Sequence, residues 1–294
     1  PPPPPPPLVP PSIPSSGLYL GARVNPGNVK NGDNDPYGTN ELAQLPAFNA
    51  ALGKTVAILP VFVPFTAAIP LTTLAAFEQN GSIPLVDLGC ANLEEVTSGV
   101  DDAAITAEAQ SLKTFARPIM LRWYWEMNKN DVAHTGRNCD AYNNGANFMA
   151  AWRHIKDIFT QVGATNVAFV WCPSANNQYT RQYYPGNNYV DWIAADGFNR
   201  EKPNASTFVG VFGDFYNQWV GRGKPMMVGS TGAYAVDQPA YFQGMQQDIP
   251  TQMPQMKAII YFDAPGDNGD FSLHDVGLEA FKVLIHSAYF SYGS

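Results

Sequence analysis

Charge is scarce in this chain. Only 14% of its 294 residues are Asp, Glu, Lys or Arg, against roughly a quarter in an average soluble domain. Its surface must therefore be built largely from Asn, Gln, Ser, Thr, Gly and Tyr. The 17 Lys and Arg are outnumbered by 25 Asp and Glu, a formal net charge of −8. That balance excludes a nucleic-acid partner, which needs a basic face for phosphates. Long apolar runs are also missing: none reaches the ~18 residues of a membrane span, so membrane insertion is not expected. Nothing at the start reads as a signal peptide, which a trimmed chain would have lost. There are only three cysteines and four histidines. The cysteine spacing fits no zinc pattern, and no Gly-rich dinucleotide fingerprint follows an early strand. Neither a metal nor a cofactor is expected.

Hydrophobic residues are plentiful, at 45% of the chain, with 13% aromatic, so the core is ample. Ten of the 26 prolines fall in the first 16 residues, PPPPPPPLVPPSIPSS. That run reads as a stiff polyproline II spacer without a core of its own, a linker to another module or a surface. The folded domain is expected over 17–294. Apolar strand-like runs follow at 18–24, 55–61, 83–88, 117–124, 166–172, 190–197, 225–229 and 258–263. Most are continuous, as strands buried on both faces should be. The clearest helical patterns lie at 101–115, 148–162, 208–220 and 278–286. Asp101 and Asp102 would place negative charge at a helix N-terminus. Eight strand–helix units in one domain predict an α/β fold, a (β/α)8 TIM barrel, with a doubly wound open sheet as the alternative. In such a barrel the chemistry sits where strands end.

The fourth strand ends in RPIMLRWYWEMN. Strict alternation would place Arg122, Tyr124 and Glu126 on one side, with Trp123 and Trp125 on the other. A lone glutamate among aromatics is costly to bury ionised, so it should hold its proton, as a general acid must. Arg122 and Asn128 would support it; a structural Glu126–Arg122 pair is the plainer alternative. Strand 5 offers Trp171 and Asn176. Strand 6 offers Asp191, Trp192, Asp196 and Asn199, and strand 8 offers Tyr261, Asp263, Asp267 and Asp270. Aromatic rings beside amides and carboxylates suit sugars, which present apolar faces and hydroxyl edges.

Five segments in order, RPIMLRWYWEMN, AWRHIKDIFTQVGATNVAFVWCP, YPGNNYVDWIAADGFN, GKPMMVGSTG and PQMKAIIYFDAPG, give the chain a resemblance to glycoside hydrolase family 26. It covers most of 17–290. The resemblance implies a retaining (β/α)8 hydrolase of the β-mannanase type, endo-acting on a β-linked polysaccharide, with the acid/base glutamate after strand 4 and a nucleophile glutamate at the end of strand 7. The Arg-…-Glu-Met-Asn segment carries the first role onto Glu126. The second falls on Ser230, which stands in GKPMMVGSTG where relatives have glutamate. Retention needs a carboxylate about 5–5.5 Å from the acid/base, and a serine hydroxyl is no substitute without a dedicated base.

Three accounts of Ser230 are open. The parent enzyme has glutamate there and this chain carries a nucleophile substitution. Or the serine is natural and the domain binds carbohydrate without cleaving it. Or Asp263 or Asp196 serves as the base of an inverting reaction. The remaining expected subsite contacts are His134, Trp171, Asn176, Trp192, Asn199 and Tyr261. Cys90 and Cys139 fall in loops after strands and could form a disulfide; Cys172 reads as a buried thiol. His154 and His286 read as structural. The acidic loop at 33–40 could bind calcium but reads first as a turn. The expected whole is a secreted, extracellular monomer acting on a polysaccharide or oligosaccharide, joined through its proline tract to another module.

Overall fold

The computed structural model describes residues 7–24, 36–130, 139–176, 179–199, 207–266 and 269–292. Eight parallel strands form one sheet in the order β1-β8-β7-β6-β5-β4-β3-β2. They are β1 (Tyr19–Val24), β2 (Ile58–Val63), β3 (Ile83–Leu88), β4 (Ile119–Trp123), β5 (Val167–Trp171), β6 (Trp192–Asp196), β7 (Met226–Thr231) and β8 (Met256–Asp263). The seam between β1 and β2 is drawn together by Ala57 N–H donating to Leu20 O, 2.9 Å. Gly21 permits the approach, because a Cβ there would lie 2.6 Å from Ile58 O. The result is a (β/α)8 barrel, as the alternation of apolar runs and helical patterns predicts.

The barrel interior is filled by every second strand residue. Tyr19, Ile58, Leu85, Met120, Ala168, Val170, Trp192, Ala194, Met227, Ala258 and Ile260 form this inner cluster. The intervening residues pack outward against the helices. Burying both faces accounts for strands that read as unbroken apolar runs.

The outer layer contains α1 (Thr39–Leu52), α2 (Leu71–Gln79), α3 (Leu93–Ser98), α4 (Asp102–Phe115), α5 (Gly145–Val162), α6 (Phe208–Trp219), α7 (Gln238–Gln252) and α8 (Asp275–His286). In α5 the buried residues Phe148, Ala151, Trp152, Ile155, Ile158 and Phe159 recur at helical spacing, giving one apolar face. Its end is fixed by Gly163 at φ 78, whose N–H reaches Phe159 O and Thr160 O, a left-handed cap that glycine adopts without strain. At the N-terminus of α4, Asp102 meets His154 of α5 at 2.6 Å, so that acidic residue ties two helices together. After β5 the described chain forms two short 3-10 turns, Thr180–Tyr183 and Asn187–Tyr189.

The proline tract differs from its expectation. Among residues 7–16, Pro11 and Pro14 are buried. Leu8 O accepts from Thr165 Oγ1 at 2.9 Å, and Ser12 Oγ lies 2.9 Å from Tyr19 OH. This half of the tract is a strap packed across the N-terminal end of the barrel, and the folded unit starts before residue 17. Polyproline backbone has no internal hydrogen bonds, so its carbonyls are available to the barrel. A cavity of about 550 Å³ beside it is lined by Pro10, Pro11, Ile13, Lys156, Asp191 and Trp192, among others.

Candidate active site

At the opposite, C-terminal end, two charged residues interrupt the apolar strands: Asp87 in IPLVDL and Arg122 in IMLRW. They are opposite each other in the β3–β4 register. The Arg122 guanidinium donates to both Asp87 oxygens at 2.6 Å each. Its Nη1 reaches Asp196 Oδ1 on β6 at 2.8 Å. The Cys172 thiol also donates to Asp196 Oδ1, 3.1 Å. All four residues are buried. A charge in such a place is tolerated only when paired and hydrogen-bonded, and the planar guanidinium fork satisfies two carboxylates at once.

The electrostatics follow from this packing. Burial pushes the Asp87 carboxyl up, against the pull of Arg122. Asp196 is pushed up to about 7, first by burial, opposed by Arg122, and raised again by the Glu126 carboxylate nearby. The Cys172 thiol is pushed well up, chiefly by burial, so it is an inert donor here. Despite its burial, Arg122 is held strongly protonated by Asp196 and Asp87.

Glu126 sits just past β4. Strict alternation fails there: Tyr124 has φ 48 and Glu126 φ 54. Positive φ is unusual for such residues and clusters at functional sites. The turn is secured by Tyr124 N–H to Leu88 O (3.0 Å) and Glu126 N–H to Cys172 O (2.8 Å). It moves Tyr124 to the outer layer beside Trp123, where its hydroxyl accepts from Ala141 N–H at 2.8 Å. Trp125 instead packs on the inner cluster. The two aromatics therefore stand opposite to the expected arrangement, because the strand ends before them.

Among the described residues, Lys129 pairs with Glu126, with Nζ 2.6 Å from Oε2; Arg122 serves the two aspartates. Asn128 does not point at Glu126. Its amide donates to Ser174 O (3.1 Å) and its Oδ1 accepts from Ser174 N–H (2.8 Å), joining the segments that follow β4 and β5. Further along that segment, Cys139 is bonded to Cys90 in a disulfide with a Cα–Cα distance of 5.2 Å.

Position 230 reaches the same mouth through an irregularity in β7. Ala195 pairs with Val228 but Asp196 pairs with Ser230, so β7 carries one surplus residue, Gly229, against β6. Paired residues on neighbouring strands share a face. Asp196 faces inward to Arg122, and so does Ser230. Thr231 then turns outward, where its hydroxyl lies 2.7 Å from Tyr241 OH. The surplus residue must be glycine: a Cβ at 229 would fall within 2.7 Å of Arg122 Nη1, Asp196 Oδ1 and Cys172 Sγ. Bulges beside active sites re-aim side chains in this way.

The other expected site residues divide by position. Asn199 is buried after β6, its N–H on Gly232 O at 2.8 Å, and Asn176 is exposed after β5. His134 and Asp267 lie outside the described residues, as does part of the acidic loop at 33–40. Trp171 faces the outer layer, its indole N–H on Tyr183 O and its ring against Tyr184 and Trp219. Tyr261 also faces outward, its hydroxyl donating to Phe271 O at 2.8 Å. Asp263, two residues on, shares that side and accepts from Leu273 N–H at 2.6 Å. Burial pushes it up to about 7. Trp192 opens β6 and lies at the strap end of the barrel. The expectation of sugar contacts at Trp171, Trp192 and Tyr261, and of a base at Asp263, is therefore corrected: the first, third and fourth point through the wall, and the second is at its far end. Residues not foreseen at the mouth are Asp87, Cys172, Lys129, Phe62 and Trp125. A lone aspartate and a lone arginine inside apolar strands were the available signal for the buried pair.

The fold is a (β/α)8 barrel with Glu126 after β4 and Ser230 near the end of β7. Residues 91–235 match the model of Glycosyl hydrolase family 26. The chain is 32% identical over 164 residues to Endoglucanase H of Acetivibrio thermocellus, covering 52% of this chain and 18% of that protein. It is 29% identical over 109 residues to Mannan endo-1,4-beta-mannosidase A and B of Caldalkalibacillus mannanilyticus, covering 35% and 20%. The Bacillus subtilis mannanase BCman superposes with a TM-score of 0.66 over 94% of this chain and 86% of its own, at 16% identity. Over the matched residues 91–235 the chain thus belongs to glycosyl hydrolase family 26. It spans about a fifth of the length of these curated relatives.

Proposed function

We propose that this domain acts on a β-linked polysaccharide, β-mannan first, with the layout of an endo-acting retaining glycosidase. Glu126 is the acid/base, and position 230 is the place of the nucleophile. What supports this reading is that Glu126 follows β4 and Ser230 stands near the end of β7, at the same end of the barrel as the Arg122–Asp196 pair. The disulfide between Cys90 and Cys139 fits a protein working outside the cell, where such bonds persist.

Double displacement needs a carboxylate that forms a glycosyl ester. Ser230 has none, so the chain as it stands holds its polysaccharide with little or no turnover by that route. The inverting alternative narrows to Asp196, since Asp263 faces away. Against it, both Asp196 oxygens lie within hydrogen-bonding distance of Arg122 Nη1.

Ser230→Glu is the test. The variant and the parent are assayed on mannan, mixed-linkage β-glucan, xylan and β-1,3-glucan for new reducing ends. Hydrolysis should rise by orders of magnitude in the glutamate form, the scale on which catalytic groups act. Activity in the serine form that vanishes in Asp196→Ala would move the mechanism to inversion. Turnover in neither form, with binding in both, would leave a carbohydrate-binding protein.

A further inference from the structure

Ser230 differs from its neighbour on β7. The Thr231 hydroxyl lies 2.7 Å from Tyr241 OH. The Ser230 hydroxyl makes no hydrogen bond among the described residues, although its side chain turns inward and is only 9% exposed. A nearly buried hydroxyl that does nothing for the fold needs a partner from elsewhere. Its register partner Asp196 does not stand in for a nucleophile, because both Asp196 oxygens lie against Arg122 Nη1, at 2.8 and 3.2 Å. Serine is also shorter than glutamate by about the length of a carboxylate, room for a one-atom leaving group. The second observation is the state of Glu126. Sequence reasoning expects an acid holding its proton; the structure pairs the carboxylate with Lys129 at 2.6 Å. An ionised carboxylate accepts a proton and has none to donate.

In a retaining layout these two positions flank the bond at the anomeric carbon. A base on one side, a hydroxyl donor on the other and no nucleophile between them fit a single displacement that joins sugars. Resting on the carbohydrate reading above, we propose that the chain as it stands is a glycosyl-transfer catalyst, which builds β-linked chains from α-configured glycosyl donors carrying a small anionic leaving group. Glu126 takes the proton of the acceptor hydroxyl. The acceptor oxygen attacks C1 from the β face, and a C–O bond forms there. The bond from C1 to the leaving group breaks, and its electron pair departs with the leaving group, to which Ser230 donates a hydrogen bond. With a glycosyl fluoride the sum is one glycosidic bond made, and one fluoride and one proton released. The product accumulates, because its hydrolysis by double displacement needs the carboxylate that position 230 lacks.

The experiment uses the chain as it exists, with Ser230 in place. The donors are α-mannobiosyl fluoride and α-cellobiosyl fluoride, and the acceptors are the p-nitrophenyl β-glycosides of mannose and glucose. A fluoride electrode follows the reaction; mass spectrometry and NMR give the length and anomeric configuration of the product. The proposal expects acceptor-dependent fluoride release from one of the donors, at least roughly tenfold above its spontaneous rate, and a β-linked product. Glu126→Gln should lower the catalysed rate by roughly a hundredfold, the low end of what a general base contributes. Ser230→Ala should lower it by roughly tenfold, the loss of one hydrogen bond to a charged group. A merely structural serine would not produce that loss, since this hydroxyl bonds to nothing in the fold. Circular dichroism of each variant checks that the barrel is intact. Fluoride release at the spontaneous rate from both donors, with β-linked polysaccharide still bound, overturns the synthetic activity and leaves the carbohydrate reading standing. Parent-like rates in Glu126→Gln or Ser230→Ala, or an α-linked product, overturn the assigned chemistry. No binding of any β-linked polysaccharide by the parent, together with no hydrolysis by Ser230→Glu, overturns the carbohydrate reading itself, and the transfer activity with it.

Discussion

Glu108 offers a direct measurement of what a buried carboxyl costs this fold. It lies on α4, 4% exposed, and accepts from Thr66 N–H at 3.1 Å through one oxygen. The other oxygen is buried without a partner. Thr66 itself has φ 67, an uncommon conformation for a β-branched residue, so this bond steadies a strained turn after β2. Burial pushes Glu108 up from 4.5 to about 7, against the Thr66 bond, with Asp101 adding to the rise. The folded state therefore prefers the protonated form. Stability from this group is full below pH 4.5, is lost as pH rises through 7, and stays lost above. At about 1.4 kcal/mol per unit of pH, the gap amounts to roughly 3 kcal/mol once the group is ionised in both states. Glu108→Gln removes the titration and keeps a carbonyl for Thr66, at a fixed cost of about 1 kcal/mol for a buried amide NH2 lacking a partner. Relative to the parent, the variant should be slightly less stable at pH 5 and more stable at pH 8, a swing of about 2.5 kcal/mol. Urea unfolding at the two pH values reads this directly, and Asp196 and Asp263 titrate in both proteins and cancel. A difference between variant and parent that does not change with pH would refute the assignment of the cost to Glu108.

The same sign applies to Asp263, also pushed up to about 7 by burial, so the parent should melt higher at pH 5 than at pH 8, as scanning calorimetry would record. Replacing Cys90 and Cys139 by serine opens a loop of sequence separation 49 and should lower unfolding free energy by about 4 kcal/mol by chain entropy; a loss below 1 kcal/mol in denaturant titration would reject that. Asp87→Ala leaves Arg122 with half its partners in a buried site, and should cost about 3–5 kcal/mol by the same titration. Gly229→Ala drives a methyl against Arg122, Asp196 and Cys172. It should destabilise by roughly 1–3 kcal/mol and reduce turnover when placed in the Ser230→Glu background.

The barrel was legible because its strands announce themselves. A segment such as Val167–Trp171, apolar at every position, has few other places to be than a sheet covered on both faces. The helical patterns of α5 and α6 were equally plain. By contrast α1 and α7 went unread: each contains an internal proline, Pro46 and Pro250, and neither shows a clean apolar stripe. The place of Glu126, just past the end of β4, was legible from its motif and the strand count. The facing of its neighbours was not, because period-two alternation stops where a strand stops, and Tyr124 and Glu126 adopt positive φ. The same limit misplaced Tyr261 and Asp263, whose direction depends on the parity of β8 and not on nearness to the mouth. Trp192 was misplaced because a strand has two ends and only one carries the chemistry. The strap was misread because composition predicts the conformation of a proline run but not whether a floor lies beneath it.

The extra glycine in β7 separates two duties that a regular strand would fuse. Thr231 anchors to α7 and keeps the wall closed, while its neighbour at 230 answers only to whatever enters the barrel. Under the function proposed above, a change of side chain at that one position restores the chemistry and leaves the Thr231 anchor untouched. Under that proposal the recovery of catalysis is a single-step event, separable from the ability to fold.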